Sequence, residues 1–198
     1  EGPHLAGALK DLSTRLVEVG RTKEAVKPAK QAVAIYRELA TADPATYESA
    51  LASSLNDLGN TLAEAGRRQE ALKQSEAAVA ILRRLAAVNP AAHEPNLAVS
   101  LNNLGNRLAQ VGRRDEGLIQ CEASLVIRRR LVAADPARYE PALASSLNNL
   151  AVLLEMRGLT DSSIAIHREN LAIQRELKDT LREARALLRA TADSVQRT

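Results

Sequence analysis

Apolar residues recur along the chain at the spacing of one helix face, and the stripe then repeats as a block. Leu9, Leu12 and Leu16 stand at i, i+3 and i+7, which predicts an amphipathic helix. The same stripe returns at Leu55, Leu58 and Leu62, at Leu101, Leu104 and Leu108, and at Leu147, Leu150 and Leu154. The surrounding wording returns with it. SLNNLGNRLA from Ser100 to Ala109 matches SLNDLGNTLA from Ser54, SLNNLAVLLE from Ser146 and a degenerate ALKDLSTRLV from Ala8. Each copy starts 46 residues after the last. Four copies at one period predict a repeat array in which neighbouring units bury each other's apolar faces.

Each block holds a second helical pattern. In the first it runs Ala25, Ala29, Ala32, Ile35 and Leu39, with Gly20 before it as a break between helices. Pro28 falls near the first turn, where proline is tolerated. Asp43-Pro44, Asn89-Pro90 and Asp135-Pro136 end the second helices, because the residue before proline is pushed away from helical geometry. Pro95 and Pro141 then mark the first turns of the following helices. First helices of about 16 residues and second helices of about 20 would span roughly 24 and 30 Å. The units fall at about residues 5–50, 51–96, 97–142 and 143–188. The fourth has no Asp-Pro or Asn-Pro after it, and LKDTLREARALLRA continues as an unbroken helix to about Ala190. A polar, extended last helix has the character of a cap on the array.

These units resemble the tetratricopeptide (TPR) helix–turn–helix repeat over essentially the whole chain. Leu55, Leu58, Gly59, Leu62, Ala71 and Ala78 fall on the family's pattern, as do Leu101, Leu104, Gly105, Leu108 and Gly117, with Ser124 in place of the last alanine. There are two departures. The period is 46 rather than 34, read as a longer second helix and a longer loop between units. The aromatic positions are taken by Leu, Ser, Cys121 and His167. The LNNLG wording and long period are similar to the kinesin-light-chain class and to arrays of large bacterial signalling proteins, so a bacterial source is expected. The resemblance implies an all-α fold, a right-handed solenoid of four TPR-like repeats with a C-terminal capping helix.

Small and polar residues inside the helices need reasons. Gly59 and Gly105 sit mid-helix, where glycine costs about 1 kcal/mol relative to alanine, and Ser13 and Ala151 hold the same register. Close approach of the second helix at Ala25, Ala71, Gly117 and Ser163 is the expected compensation. Asparagine is likewise a poor interior helix residue, because its side chain competes with the backbone. Asn56/Asn60 and Asn102/Asn106 are i, i+4 pairs on one face, joined in register by Asn148. The resemblance places first helices along a concave groove, where amide donors and acceptors suit an extended peptide backbone. The competing role is a structural ladder between units. Asn103 and Asn149 point about 100° away from their neighbours and are read as structural.

Composition narrows the rest. Of 198 residues 45% are hydrophobic, without Phe or Trp and with three Tyr, so the core is built from Ala and Leu. The net charge is +3, with charges of both signs interspersed, which serves solubility more than nucleic-acid binding. Arg37, Arg83, Arg129 and Arg175 are in register with Glu48, Glu94 and Glu140 and are read as surface ion pairs. A stripe for an anionic partner lacks the aromatic platforms that nucleic acid would want. Cys121 excludes an internal disulfide and falls at a small buried position, as an inert core thiol. His4, His93 and His167 lie far apart in register, and no phosphate loop, metal-spaced cluster or nucleophile–base pattern appears. The expectation is a cytoplasmic, non-enzymatic scaffold without cofactor or metal. It binds a protein or extended peptide rather than nucleic acid or membrane, with self-association through the array ends as a further route. The chain starts at Glu1, without an initiator Met and directly inside a repeat, and so reads as a piece of something longer. The alternative role is therefore a sensor or assembly domain for an effector outside this sequence, a nucleotide-switch ATPase or a protease.

Overall fold

The computed structural model describes residues 2–195, with side chains described to residue 179 and at Arg182. Eight helices follow one another: α1 (Gly2–Glu18), α2 (Thr22–Ala42), α3 (Pro44–Glu64), α4 (Arg68–Val88), α5 (Pro90–Gln110), α6 (Arg114–Ala134), α7 (Pro136–Met156) and α8 (Thr160–Val195). No strand occurs among the described residues. The chain divides into two compact units, Glu1–Ile127 and Arg128–Thr198. In the first, each helix from α1 to α5 packs on the next, and the first helices α1, α3 and α5 also touch in sequence. Ser124 ties the opening part of α6 to α5 by donating to the Ala98 carbonyl at 2.7 Å. In the second, α7 packs on α8. These are the expected helix pairs, and α8 is the long final helix read from the missing Asp-Pro.

Two expectations about length are corrected. Only one residue separates successive units, Asp43, Asn89 or Asp135, where a longer loop was expected. The second helices run 21 residues, close to the expected 20, and the length expected of the loop lies in the first helices of units two to four, where about 16 residues were expected. They begin at Pro44, Pro90 and Pro136 and run 21 residues each. Pro95 and Pro141 consequently lie inside α5 and α7 rather than opening them. Capping chemistry explains the early start. The side chains of Asp43, Asn89 and Asp135 accept the backbone N–H of Thr46, Ala92 and Arg138 at 3.2, 3.3 and 3.2 Å. The proline that follows each cap has no N–H to leave unsatisfied at the first helical position.

The turn inside each unit has a different device. Gly20, Gly66, Gly112 and Gly158 have φ of +78°, +76°, +89° and +73°, in the left-handed region that side chains avoid. In the first turn, Gly20 N–H donates to Val17 O at 2.9 Å and Arg21 N–H to Leu16 O at 2.8 Å. That pairing closes a Schellman motif and satisfies two carbonyls at the helix end. Arg21–Glu24, Arg67–Glu70 and Arg113–Glu116 then staple the first turns of α2, α4 and α6. Their carboxylates stand at the positive ends of the helix dipoles.

The apolar stripe forms the core. Leu55 and Leu62 are fully buried, and Leu58, Leu104 and Leu150 are 3%, 6% and 4% exposed. A buried leucine contributes about 2 kcal/mol through area removed from water. Leu12, in the same register, is 50% exposed, because α1 has helices of the array on one side alone among the described residues.

Candidate functional site

The predicted asparagines lie on first helices, as their spacing requires. Asn56 and Asn60 are on α3, Asn102 and Asn106 on α5, and Asn148 on α7 of the second unit. The two on α3 are drawn into the seam with α5. Asn56 Nδ2 donates to Ser100 Oγ, and Ser100 donates in turn to the Asn96 carbonyl at 3.0 Å. Asn60 Oδ1 accepts from Arg107 Nη2 at 2.9 Å. The other carbonyl of the pair, Asn56 Oδ1, is buried without a hydrogen-bond partner. Asn102 is 8% exposed, Asn106 is half-buried and Asn148 is exposed. Burial lowers the pKa of the Arg107 guanidinium, and the charge of Glu64 opposes that shift.

The seam between α1 and α3 has the same register and different chemistry. Lys10 occupies the position of Asn56 one unit earlier. Its Nζ lies 2.9 Å from Asp57 Oδ2 and donates to Ser53 Oγ at 3.1 Å. Deeper in the seam, the Ser13 and Thr61 hydroxyls meet at 3.4 Å. Here the helices leave a cavity of about 420 Å³ lined by Lys10, Glu18, Ser54, Asp57, Asn60 and Glu64 among others. A smaller cavity of about 120 Å³ lies between α3 and α5 and is lined by Asn56, Asp57, Asn60, Asn96 and Asn103 among others. Asp57 and Asn60 border both. The two cavities thus meet at these two polar side chains of α3, with α1 on one side and α5 on the other.

Lys10, Asp57 and Asn96 were not singled out by sequence reasoning, and Asn103 was given a structural role. The signal for Asp57 and Asn103 was present, since they share one register position beside the asparagine pairs. Lys10 was hidden because its unit is the degenerate copy.

The remaining candidates are inert or peripheral. Cys121 is buried, and loss of hydration pushes its thiol up to about 12. His167 Nε2 lies 3.2 Å from Glu155 on the second unit's surface. Hydrogen bonds from Ser163 and His167 hold the Glu155 carboxyl below the usual range. The register-locked arginines pair differently from expectation. Arg84 rather than Arg83 reaches Glu48, Arg83 donates to Gln120 at 2.8 Å and Arg129 forms an ion pair with Glu169 at 2.9 Å. Among the described residues no group of three His, Cys, Asp or Glu side chains could hold a metal ion. No described helix is long and apolar enough to cross a membrane.

Solved structures of the same fold come from several sources. The chain superposes on the nearly identical TPR-like repeats of a Podosopora anserina protein assigned as a kinesin light chain, with a TM-score of 0.64 and 22% identity, covering 85% of this chain and 74% of that one. BtubC (BKLC) from P. vanneervenii gives a TM-score of 0.74 at 19% identity, covering 90% and 66%. A Rap protein complexed with Competence and Sporulation Factor gives 0.72 at 14%, covering 91% and 45%. No curated protein matches the chain in sequence. The four units themselves match the Tetratricopeptide repeat family at residues 5–43, 51–89, 97–137 and 143–177, and with most of its length so matched the chain belongs to that family.

Proposed function

We propose that this chain is a non-catalytic protein-interaction scaffold whose first-helix face takes up an extended segment of a partner protein. The observation that carries this reading is the pair of cavities along the first helices that share Asp57 and Asn60. An extended segment advances about 3.3 Å per residue and carries a donor and an acceptor at every step. The amides and hydroxyls among the lining residues meet those groups without selecting side chains. A Rap protein of the same fold holds Competence and Sporulation Factor, which supports reading the fold as a receptor.

The asparagines then divide by what they touch. Asn60 is exposed and borders both cavities, and the half-buried Asn106 lies one period on at the same register, so these two are assigned to the segment, whereas Asn56, which donates to Ser100, and the buried Asn102 hold the helices in register. Peptides selected from a displayed library on the purified chain provide the probe. The Asn60→Ala, Asn106→Ala double variant is expected to weaken binding about tenfold, at about 1 kcal/mol per lost hydrogen bond, with a melting temperature lowered slightly by loss of the Asn60–Arg107 bond. Asn56→Ala with Asn102→Ala is expected to lower the melting temperature. Unchanged affinity in the first pair, measured by fluorescence anisotropy, would sink the groove reading.

A further inference from the structure

Two seams of the first compact unit are built to one plan. Val26 and Val33 of α2 share an apolar cluster with Leu51 and Leu58 of α3. One period later α4 packs on α5, and Leu72 and Val79 of α4 are buried with Leu97 and Leu104 of α5. A branched aliphatic at each of these four register positions therefore marks a second helix lying on the first helix that follows it. The same positions recur on α1 and α8, and there they are uncovered. Leu5 and Leu12 of α1, in the register of Leu51 and Leu58, are 55% and 50% exposed. Ile164 and Leu171 of α8, in the register of Val26 and Val33, are 42% and 49% exposed. None of the four lines a cavity of the candidate site. α1 thus carries the receiving half of a seam, and α8 carries the covering half.

A second observation concerns charge. Between successive second helices, Lys30 Nζ of α2 lies 3.2 Å from Glu70 Oε2 of α4, whose other oxygen is held by Arg67. The residue in the register of Lys30 on α8 is Arg168, and it is exposed. The residues in the register of Glu70 and Arg67 on α2 are Glu24 and Arg21, already paired at 2.6 Å. Seating α8 of one copy ahead of α1 of another brings Arg168 to Glu24 by the same step that brings Lys30 to Glu70. Such rim charges fix register and partner more than they add affinity.

We propose that α8 of one copy docks on α1 of a second copy, so that the chain associates with itself head to tail. The contact continues the α2–α3 and α4–α5 seams across two molecules, with Ile164 and Leu171 covering Leu5 and Leu12. Because the two faces differ, the contact is heterologous, and a dimer keeps one unused face of each kind. Gln174 and Lys178 of α8 stand where α2 has Tyr36 and Ala40. The apolar contact between copies is therefore shorter than the seams within the chain, as suits a reversible association. The groove reading does not depend on this contact.

Sedimentation equilibrium of the full chain, loaded from micromolar to near-millimolar concentration, tests this. The weight-average mass should rise with concentration, with a dissociation constant in the tens of micromolar. Leu5→Glu with Leu12→Glu should raise that constant at least tenfold, and so should Ile164→Glu with Leu171→Glu. All four side chains are exposed in the single chain, so helicity by circular dichroism should be unchanged. Mixed together, the two variants should associate again and stop at a 1:1 dimer, since each keeps the face that the other has lost. Arg168→Glu should weaken association severalfold, and adding Glu24→Lys should recover most of it. A parent chain that stays monomeric at every concentration overturns the proposal, whatever other helix α1 then accepts. Self-association that survives Ile164→Glu with Leu171→Glu points to α1 meeting α1 and also overturns it. So does a mixture of the two folded variants that remains monomeric.

Discussion

The hairpins α3–α4 and α5–α6 are written in the same register and close to different distances. In both, a mid-helix glycine of the first helix faces a backbone carbonyl of the second. A Cβ added to Gly59 would meet Ser75 Oγ at 3.1 Å and Ala71 O at 3.4 Å. One period later, a Cβ added to Gly105 would meet Cys121 Sγ at 2.4 Å and Gly117 O at 2.8 Å. The reverse contact is as tight, since a Cβ on Gly117 would lie 2.7 Å from Gly105 O. With glycine on both sides, the α5 and α6 backbones approach more closely than the Gly59–Ala71 pair permits. The α1–α2 hairpin completes the series. Ser13 stands in the glycine's register and donates to the equivalent carbonyl, Ala25 O, at 3.0 Å. The repeat thus specifies what faces that carbonyl, and the residue chosen sets how near the helices come.

The sharpest way to break the comparison is Gly105→Ala. Its new methyl would overlap both a buried sulfur and a backbone carbonyl, and the carbonyl cannot rotate away. Overpacking of this kind costs about 1–3 kcal/mol and at times more, while alanine returns about 1 kcal/mol of helix propensity. The overlap dominates, and urea denaturation should show a net destabilisation of about 2 kcal/mol. A variant as stable as the parent would mean that α5 and α6 do not pack this closely.

This contrast was only half legible in the sequence. The 46-residue period, the leucine stripe and the glycine breaks named every helix pair, because each is a repeated local signal with one physical cause. The close approach at Gly105 and Gly117 was also readable, since mid-helix glycine needs compensation. The helix starts were misplaced because Asp-Pro was taken as a stop for one helix rather than the cap and first position of the next. The same dipeptide can do both when the loop is a single residue. At the candidate site, the asparagine faces followed from i, i+4 spacing. The cavity between α1 and α3 did not, because it depends on how two helices one period apart pack together and not on the spacing within either.

Cys121 offers a smaller effect and a way to sharpen the same comparison, because Ser75 holds its place in the α3–α4 hairpin. Burial raises the Cys121 pKa to about 12, against about 8.5 for an exposed thiol. Below about pH 8.5 the thiol is protonated in both folded and unfolded chains, and the stability is fully present. Between that value and about 12 the unfolded chain loses its proton and the folded one keeps it, so stability falls as pH rises. At pH 10 the loss should be about 1–2 kcal/mol, by the same linkage. Cys121→Ser should remove this added alkaline loss. The difference between the two proteins in urea midpoints at pH 8 and pH 10 measures it. A parallel decline of both would place the thiol in contact with water.

Gly59→Ala should give the smallest effect, and its smallness is informative. The methyl would lie 3.4 Å from Ala71 O, an ordinary contact, and 3.1 Å from Ser75 Oγ, which must yield by a few tenths of an ångström. A hydroxyl at the end of one rotatable bond gives way more readily than the carbonyl that opposes Gly105. Against that modest strain stands about 1 kcal/mol of recovered helix propensity. The two nearly cancel, and the net change should stay within about 1 kcal/mol of zero on that scale. Paired with Gly105→Ala, this variant isolates interhelical distance from the intrinsic merit of alanine in a helix, because both substitutions share the second term. Equal stability changes at the two sites would show that the hairpins pack alike and that the glycines mark the register without tightening it. A gap of about 2 kcal/mol between them would show the α5–α6 contact to be the tighter joint, set by Gly117 where the neighbouring hairpin has Ala71.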